Sequence, residues 1–237
     1  MNQSFYTAAL GVGSEQYKLD ILANNTANIN TWGYKTKVPI FSELMYYEMK
    51  GKAQENNELL TGTGMRIQKA DTDFSQMTLA ESEGEYHYAI EGDGMFMLRD
   101  PSTNEITYTR DGSFSLSLRG NDFYLVSSTG KLVLDRNANP IQVNENSPDT
   151  LPIAIVDFVN KNGMLGVGDN EFTPVAKNGD PFLAQGAKLR KGMLEMSNVD
   201  LSDQITKIIE AQRAYSYALR MVQTSDEIEN TINSLRT

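Results

Sequence analysis

Few side chains in this sequence have the types and spacings that catalysis or metal binding requires. The 237 residues contain no Cys, which excludes disulfides, thiolate nucleophiles and zinc–thiolate sites, and the single His, His87, is too little for a histidine metal cage. Asp71 and Asp73 begin like a calcium-binding loop, but Gln76 stands where the turn glycine is needed and Ser82 where the bidentate Glu is needed. We therefore predict that the protein is not an enzyme and that it holds no metal and no cofactor.

Other features that suggest ligand binding fail on spacing or on charge. Paired glycines occur in residues 11–13, 62–64, 92–94 and 166–168. None of these has the third glycine of a dinucleotide-binding loop or the Lys-Ser/Thr of a phosphate-binding loop. Arg110 and Asp111 can pair locally, but a turn with a charged rim is the simpler explanation for them. The formal net charge of −10 argues against a nucleic-acid partner, since phosphate binding needs clustered Lys and Arg.

The composition, with 40% hydrophobic and 22% charged residues, is that of a folded chain that is neither disordered nor membranous. No run approaches the roughly 20 apolar residues of a membrane-spanning helix, so we predict no membrane insertion. The first ten residues lack the basic segment of a cleavable signal peptide, and we expect any export to proceed without cleavage.

A polar stretch at residues 23–35, ANNTANINTWGYK, follows an apolar N-terminal segment. Asn and Thr side chains bond to nearby backbone groups, and Gly33 can adopt a positive φ without strain. The stretch is therefore predicted to end a helix and to fix the direction in which the chain leaves it, as a hinge without chemistry. The predicted turn residues are Asn24, Asn25, Asn28, Thr31, Gly33 and Tyr34.

The spacing of apolar residues predicts a long helix at each end of the chain, over residues 4–30 and from Leu201 onward. Asp200 and Ser202 are N-cap candidates for the second helix, and no Gly or Pro interrupts residues 193–237. Each helix is apolar along two seams, and the other terminal helix covers only one of them, so we expect the remaining seams to contact other subunits. The predicted subunit-interface residues are Phe5, Val12, Leu19 and Leu22 in the first helix and Leu201, Ile205, Ile208, Tyr215, Leu219, Val222, Ile228 and Ile232 in the second.

Between the helices, short runs of β-branched and aromatic residues are bounded by Gly, Asn and Asp, a pattern typical of short strands. No pattern of ten or more helical residues separates them, which favours an antiparallel β domain over a parallel sheet. Asp111-Gly112 predicts a hairpin, and Thr129-Gly130 predicts a second turn. The predicted fold class is α+β, with residues 1–35 and 193–237 as a helical coiled-coil domain, residues 36–69 as an extended connector and residues 70–192 as a β-rich domain.

Residues 24–35, NNTANINTWGYK, resemble the N-terminal signature of the bacterial flagellar rod and hook proteins. The matching positions are Asn24, Asn25, Ala27, Asn28, Asn30, Thr31, Gly33, Tyr34 and Lys35. Thr26 replaces an aliphatic residue and Trp32 a small or polar one, and neither change affects a turn-forming position.

Three further motifs extend the resemblance along the chain in the family's order. Residues 91–98, EGDGMFML, resemble the family's GDGFF segment, and residues 108–116, YTRDGSFSL, resemble its YTRDGSF segment. Residues 192–231, which contain SNVD, IEAQRAY and TSDE, resemble the C-terminal signature. Residues 59–68, LLTGTGMRIQ, are similar to a segment of the members that form the distal rod.

The resemblance implies a structural subunit of the flagellar basal body. Terminal helices would form an inner coiled-coil layer around a channel, the β domain would form an outer layer, and copies would polymerise head to tail into a hollow shaft that transmits torque. The implied partners are further copies, neighbouring rod and hook proteins, ring proteins around the rod and the flagellar type III export apparatus.

Two alternatives remain at this level. Within the family, the chain can be a proximal rod protein or another rod-like paralogue. Outside it, a secreted β-rich binding module with a helical oligomerisation stalk also has helices at both ends and a β-rich middle.

Overall fold

The computed structural model describes residues 3–49, 59–144 and 151–235, and the chain divides into two compact units. Unit 1 comprises the described residues within Met1–Thr26, Lys37–Asp71 and Asp200–Thr237. Unit 2 comprises those within Ala27–Thr36 and Thr72–Val199. Two long helices and a large antiparallel sheet confirm the predicted α+β class.

Unit 1 contains both helices, α1 (Gln3–Ala27) and α2 (Leu201–Ser234). The predicted cap of α2 is confirmed, because the Asp200 carboxylate accepts hydrogen bonds from the backbone N–H groups of Ser202, at 2.8 Å, and Asp203, at 3.3 Å. α1 ends three residues before the predicted boundary, within the polar stretch. Neither described helix is long and apolar enough to cross a bilayer.

α1 and α2 run antiparallel and contact each other along their length. The Ser4 and Ser225 hydroxyls lie 3.3 Å apart, and a Cβ built on Gly11 would lie 3.8 Å from the Ala218 Cβ. At the other end, the Asn25 side-chain Nδ2 donates to the Gln204 side-chain Oε1 over 3.3 Å. Between these three pairs the residue number on α1 rises by a multiple of seven, and the residue number on α2 falls by the same amount.

Four strands complete unit 1: β1 (Lys37–Glu43), β2 (Tyr46–Met49), β3 (Leu59–Gly62) and β4 (Met65–Thr72). β1 pairs with β4, and β2 pairs with β3 in antiparallel register. The connector predicted over residues 36–69 coincides with these strands and with residues 50–58, which lie outside the described part of the chain. The Ser14 hydroxyl donates to the Met65 carbonyl and joins α1 to β4.

Unit 2 is built from short strands around one ten-stranded sheet. Its strands are β5 (Leu79–Glu81), β6 (Tyr88–Glu91), β7 (Met95–Arg99), β8 (Ile106–Thr109), β9 (Ser115–Arg119), β10 (Asp122–Val126), β11 (Leu132–Val133), β12 (Gln142–Val143), β13 (Ile155–Asp157), β14 (Leu165–Gly168), β15 (Glu171–Thr173), β16 (Phe182–Leu183), β17 (Lys188–Lys191) and β18 (Met193–Glu195). The main path of the sheet is β12-β10-β11-β7-β8-β15-β14; β9 pairs with β10, and β13 pairs with β7 and β16. β6 pairs with β17, and β5 pairs with β18.

β7 lies in the middle of the sheet and supplies two separate hydrophobic clusters. Phe96 packs edge-to-face on Phe114 in one cluster, while Met95 and Met97 belong to the cluster that contains Tyr108. Successive side chains of a strand point to opposite faces, so a strand covered on both faces is apolar at consecutive positions. This explains the continuous apolar run in the segment MFML.

The hairpin predicted at Asp111-Gly112 is wrong, although a turn is present there. β8 pairs with β7 and β15, whereas β9 pairs with β10. The Gly112 carbonyl instead accepts from the Tyr88 N–H at 3.1 Å, and a Cβ on Gly112 would collide with the Tyr88 carbonyl oxygen at 1.6 Å. The turn at Thr129-Gly130 is confirmed, because it joins the paired strands β10 and β11.

Candidate functional site

Three charged side chains from three different sequence motifs meet in the interior of unit 2. The Lys35 Nζ lies 2.7 Å from Glu195 Oε1, and the Arg110 Nε lies 2.7 Å from Glu195 Oε2. The three side chains are between 0% and 3% exposed. We call this group the buried charge site. Lys35 ends the N-terminal signature, Arg110 lies in YTRDGSF, and Glu195 precedes SNVD.

Backbone groups complete the hydrogen bonding of the site. Lys35 also donates to the Ser75 carbonyl at 2.6 Å, and Glu195 Oε1 also accepts from the Met77 N–H at 3.0 Å. Arg110 donates through Nη1 and Nη2 to the carbonyls of residues 92 and 94 at 2.6 to 3.0 Å. Those carbonyls belong to the segment EGDGMFML, so all four family-like motifs contribute to one site. A buried ion group is tolerated when its charges are paired and its remaining polar atoms are bonded.

Gly33 brings the N-terminal signature onto the backbone beside Arg110. Its φ is +65°, and its N–H donates to the Glu195 carbonyl at 2.8 Å. A Cβ on Gly33 would lie 2.6 Å from the Arg110 carbonyl carbon and 2.6 Å from the Asp111 nitrogen. Glycine is therefore required both by the conformation and by the close approach of two backbones.

Asn198 of the SNVD motif binds the residue that follows Lys35. Its Oδ1 accepts from the Thr36 N–H at 2.6 Å and from the Thr36 hydroxyl at 2.8 Å. Its Nδ2 donates to the Asp73 carbonyl at 2.8 Å. The two terminal signatures are therefore held together by side-chain amide and backbone bonds as well as by charge.

Burial dominates the electrostatics of the site. Burial lowers the pKa of Lys35, and the neighbouring Glu195 carboxylate opposes that shift. Burial raises the pKa of Tyr34 to about 12 and also raises the pKa of Asp111 above its usual range. Lys35 and Arg110 both bind the Glu195 carboxylate, and the further hydrogen bonds of the three side chains go to backbone groups of the same chain. Such an arrangement holds segments of the chain together.

The structure separates the predicted turn residues into two groups. Asn25, Gly33 and Tyr34 are buried, whereas Asn24 and Thr31 are exposed. Asn28 is partly buried and accepts from the Thr31 hydroxyl at 3.1 Å. Trp32, whose carbonyl accepts from the Asn170 side chain at 2.9 Å, is 38% exposed.

A second candidate site is the apolar surface that the helices of unit 1 leave uncovered. We call it the outer helix face; it consists of Tyr6, Leu10 and Tyr17 on α1 and Leu201, Ile205, Ile209, Tyr217, Met221, Ile228 and Ile232 on α2. Their exposed fractions run from 43% to 67%. Exposed large apolar side chains in such number make this surface a candidate for contacts with other chains.

Four of the predicted interface residues, Leu201, Ile205, Ile228 and Ile232, lie on the outer helix face. The partly buried ones are Phe5, Val12, Leu19, Ile208, Tyr215, Leu219 and Val222. Leu22 is 2% exposed, so the single chain already covers it. Tyr6, Leu10 and Tyr17 lie on the outer helix face but are not among the predicted interface residues, and the sequence predicted no role for the buried charge site.

Among the described residues, no group of three or more acidic or His side chains is placed to hold a metal ion.

Comparison with known protein families gives three matches in chain order. Residues 5–35 match the family described as flagella basal body rod protein, residues 89–164 match the D1 domain of the flagellar hook protein FlgE/F/G, and residues 190–235 match the C-terminal region of the flagellar basal body rod FlgEFG proteins. The three matches contain Lys35, Arg110 and Glu195, one residue each.

Full-length relatives give the same result. The flagellar basal-body rod protein FlgG of Borreliella burgdorferi is 32% identical over an alignment of 267 positions, which covers 100% of this chain and 99% of the relative. FlgG of Bacillus subtilis is 30% identical with 100% of both chains covered. The flagellar hook-basal body complex protein FlhP of Bacillus subtilis is 26% identical, again over 100% of both chains.

Proposed function

This chain belongs to the family of flagellar basal-body rod proteins, and from that premise we propose that it forms the distal part of the rod, polymerising head to tail into a hollow helical shaft. It is a structural subunit of the basal body. The distal position is supported by residues 59–68, which are similar to a segment of distal rod members, and by alignment with FlgG proteins over their whole length.

The observation that carries the assembly proposal is the outer helix face. A helix pair that leaves large apolar side chains in water gains free energy when a second copy covers them. A head-to-tail contact that does not close into a ring continues as a helical filament. We propose that α1 and α2 of successive copies pack as a coiled-coil inner layer, with unit 2 as the outer layer.

The buried charge site supports the mechanical part of the role. A shaft that transmits torque needs subunits that do not shear. Buried ion pairs whose other polar atoms are hydrogen-bonded fix one arrangement of the segments that they join. We propose that this site keeps unit 2 rigid under load. Its three charged side chains are buried and paired with one another, which fits a structural role.

The proposed partners follow from the proposed position of the chain in the distal rod. They are further copies of this chain, the neighbouring rod and hook proteins and the ring proteins that surround the rod. We propose that the flagellar type III export apparatus delivers the subunit.

The test is a charge placed on the outer helix face. Ile228→Asp should abolish polymerisation of the purified chain and swimming of cells that depend on it, because the new carboxylate would be buried between copies. Gln223→Asp, which adds the same charge to an exposed polar position of the same helix, is the matched control and should polymerise.

Negative-stain images of the two variants and of the unmodified chain provide the readout. Filaments of Ile228→Asp at the unmodified level would overturn the proposed interface. A discrete small oligomer of the unmodified chain would favour a β-rich binding module with a helical stalk.

A further inference from the structure

The contact surface between α1 and α2 contains small residues that repeat every seven positions. Gly11 faces Ala218, and Ser4 faces Ser225. On α2, Ala211, Ala218 and Ser225 follow one another at this interval, and all three are small. A slip of seven residues in either direction would bring Ala211 or Ser225 opposite Gly11 with little change in side-chain volume. Packing at Gly11 therefore does not discriminate between registers.

Asn25 and Gln204 are the large polar pair in this surface. They are 0% and 3% exposed, and the Asn25 Nδ2 donates to the Gln204 Oε1 over 3.3 Å. Seven residues further along α2, the side chain is that of Ala211, which has no acceptor. A slip would therefore leave the buried polar atoms of both amides without their interhelical partner.

The Asn25 amide is held in place before it meets α2. Its Oδ1 accepts from the Lys37 N–H at 2.9 Å, and its Nδ2 donates to the Lys37 carbonyl at 2.8 Å. These two bonds hold the Asn25 side chain in one conformation against the backbone of Lys37, the first residue of β1. The orientation of the amide toward Gln204 is therefore independent of which residue of α2 lies opposite.

We propose that the hydrogen bond between Asn25 and Gln204 sets the register of α1 against α2, as one buried polar residue does in a coiled coil. Register matters here because the outer helix face combines residues from both helices, so a slip would shift one half of that surface against the other. The bond between Asn25 and Gln204 lies within the single chain, so its effect on the register does not depend on the proposed function.

Engineered disulfides can report the register because the sequence contains no Cys. The 3.8 Å between a Cβ on Gly11 and the Ala218 Cβ matches the mean of roughly 3.8 Å in protein disulfides. Gly11→Cys with Ala218→Cys reports the native register, and Gly11→Cys with Ala211→Cys or Ser225→Cys reports a slip in either direction. Intramolecular cross-links are quantified by mass spectrometry after mild oxidation of the dilute full chain.

Gln204→Leu in each of these backgrounds is the decisive change. It removes the interhelical bond and leaves both bonds between Asn25 and Lys37, so the ratio of slipped to native cross-link should rise about tenfold. Gln204→Glu keeps an acceptor at the same position and should keep the original ratio. Gln212→Leu, the same change at an exposed position of α2, is the control and should also leave it unaltered.

A ratio that stays at the unmodified value in Gln204→Leu would overturn the proposal and show that other contacts set the register. If circular dichroism shows that Gln204→Leu loses helix content, Gln204→Ala takes its place with the same expectation and the same contradicting outcome.

Discussion

Lys35 and Glu195 are 160 residues apart in the sequence, and their charged atoms are 2.7 Å apart in the interior of unit 2. Arg110 binds the second oxygen of the same carboxylate. The carboxylate therefore links the N-terminal signature, the middle of the sheet and the segment that leads into the C-terminal helix. The stability of unit 2 should depend on which member of the group is removed.

We expect a fixed order of destabilisation when the buried charge site is altered. Glu195→Gln leaves two buried cations without a counter-ion and should cost about 3–5 kcal/mol of unfolding free energy. Arg110→Met keeps the pair between Lys35 and Glu195 but leaves the carbonyls of residues 92 and 94 without donors, so it should cost less. Lys35→Met leaves the Arg110 pair intact and should cost least.

Urea unfolding monitored by the far-ultraviolet signal of the sheet measures this order. The matched control is Glu91→Gln, which removes a carboxylate from an exposed pair with Arg190, a pair that solvent screens. It should change the unfolding midpoint little. A Glu195→Gln variant as stable as this control would contradict the role assigned to the site.

The glycine at position 33 should be irreplaceable for reasons of space as well as conformation. Gly33 and Gly120 have nearly equal φ values, +65° and +67°, but a Cβ on Gly120 has no neighbour within 4 Å. Gly120→Ala should therefore cost about 1–2 kcal/mol, the conformational penalty alone. Gly33→Ala adds a collision with the backbone at Arg110 and should cost about 3–5 kcal/mol. Equal melting temperatures for the two variants would show that the backbone shifts to make room.

The sequence was sufficient for the elements and insufficient for the pairings. The helices, the Asp200 cap and the antiparallel class follow from periodicity and capping chemistry, which act over a few residues. The turn chemistry at Asp111-Gly112 is equally local, yet it does not determine which strands pair, and there the hairpin prediction was wrong. Gly112 instead packs closely against Tyr88, and a contact between residues so distant in sequence cannot be read from the turn itself.

The buried charge site illustrates the same limit. Lys35, Arg110 and Glu195 each stand among residues typical of turns or strands, and nothing near Arg110 in the sequence shows that its partner is Glu195 and not Asp111. The only signal was that three of the four motifs of the family resemblance carry or adjoin one of these charges. Of the outer helix face, only Leu201, Ile205, Ile228 and Ile232 were among the predicted interface residues, and most of the other predicted residues are partly buried in the single chain. Heptad spacing fixes which side chains share a side of a helix, but it does not show which side stays exposed to water.

Alkaline pH should weaken unit 2 through Tyr34. Burial raises the pKa of Tyr34 to about 12, above its ordinary value of 10.0, so the unfolded chain loses this proton first. The contribution to stability is complete below pH 10 and is lost as the pH rises through 12. Tyr34→Phe should lower the slope of unfolding free energy against pH in that window. Loss of a hydrogen bond of the Tyr34 hydroxyl changes the free energy of unfolding by the same amount at every pH below 10. Measurements between pH 7 and 9 determine that amount. Identical slopes in the two proteins above pH 10 would contradict the expectation.

Hydrogen exchange should separate the two units of the isolated chain. β7 lies between paired strands with Phe96 and Leu98 wholly buried, so its amides exchange only when the sheet opens. α1 and α2 bury few side chains, and the outer helix face remains in water, so their amides should exchange much faster in dilute subunits. In the proposed assembly neighbouring copies cover that face, so we expect protection of α1 and α2 to rise to the level of β7 in filaments. Mass spectrometry of exchanged peptides measures both states. Helices protected as strongly as β7 in the dilute chain would mean that the single subunit stabilises them without neighbours, and that assembly is not what orders the ends of the molecule.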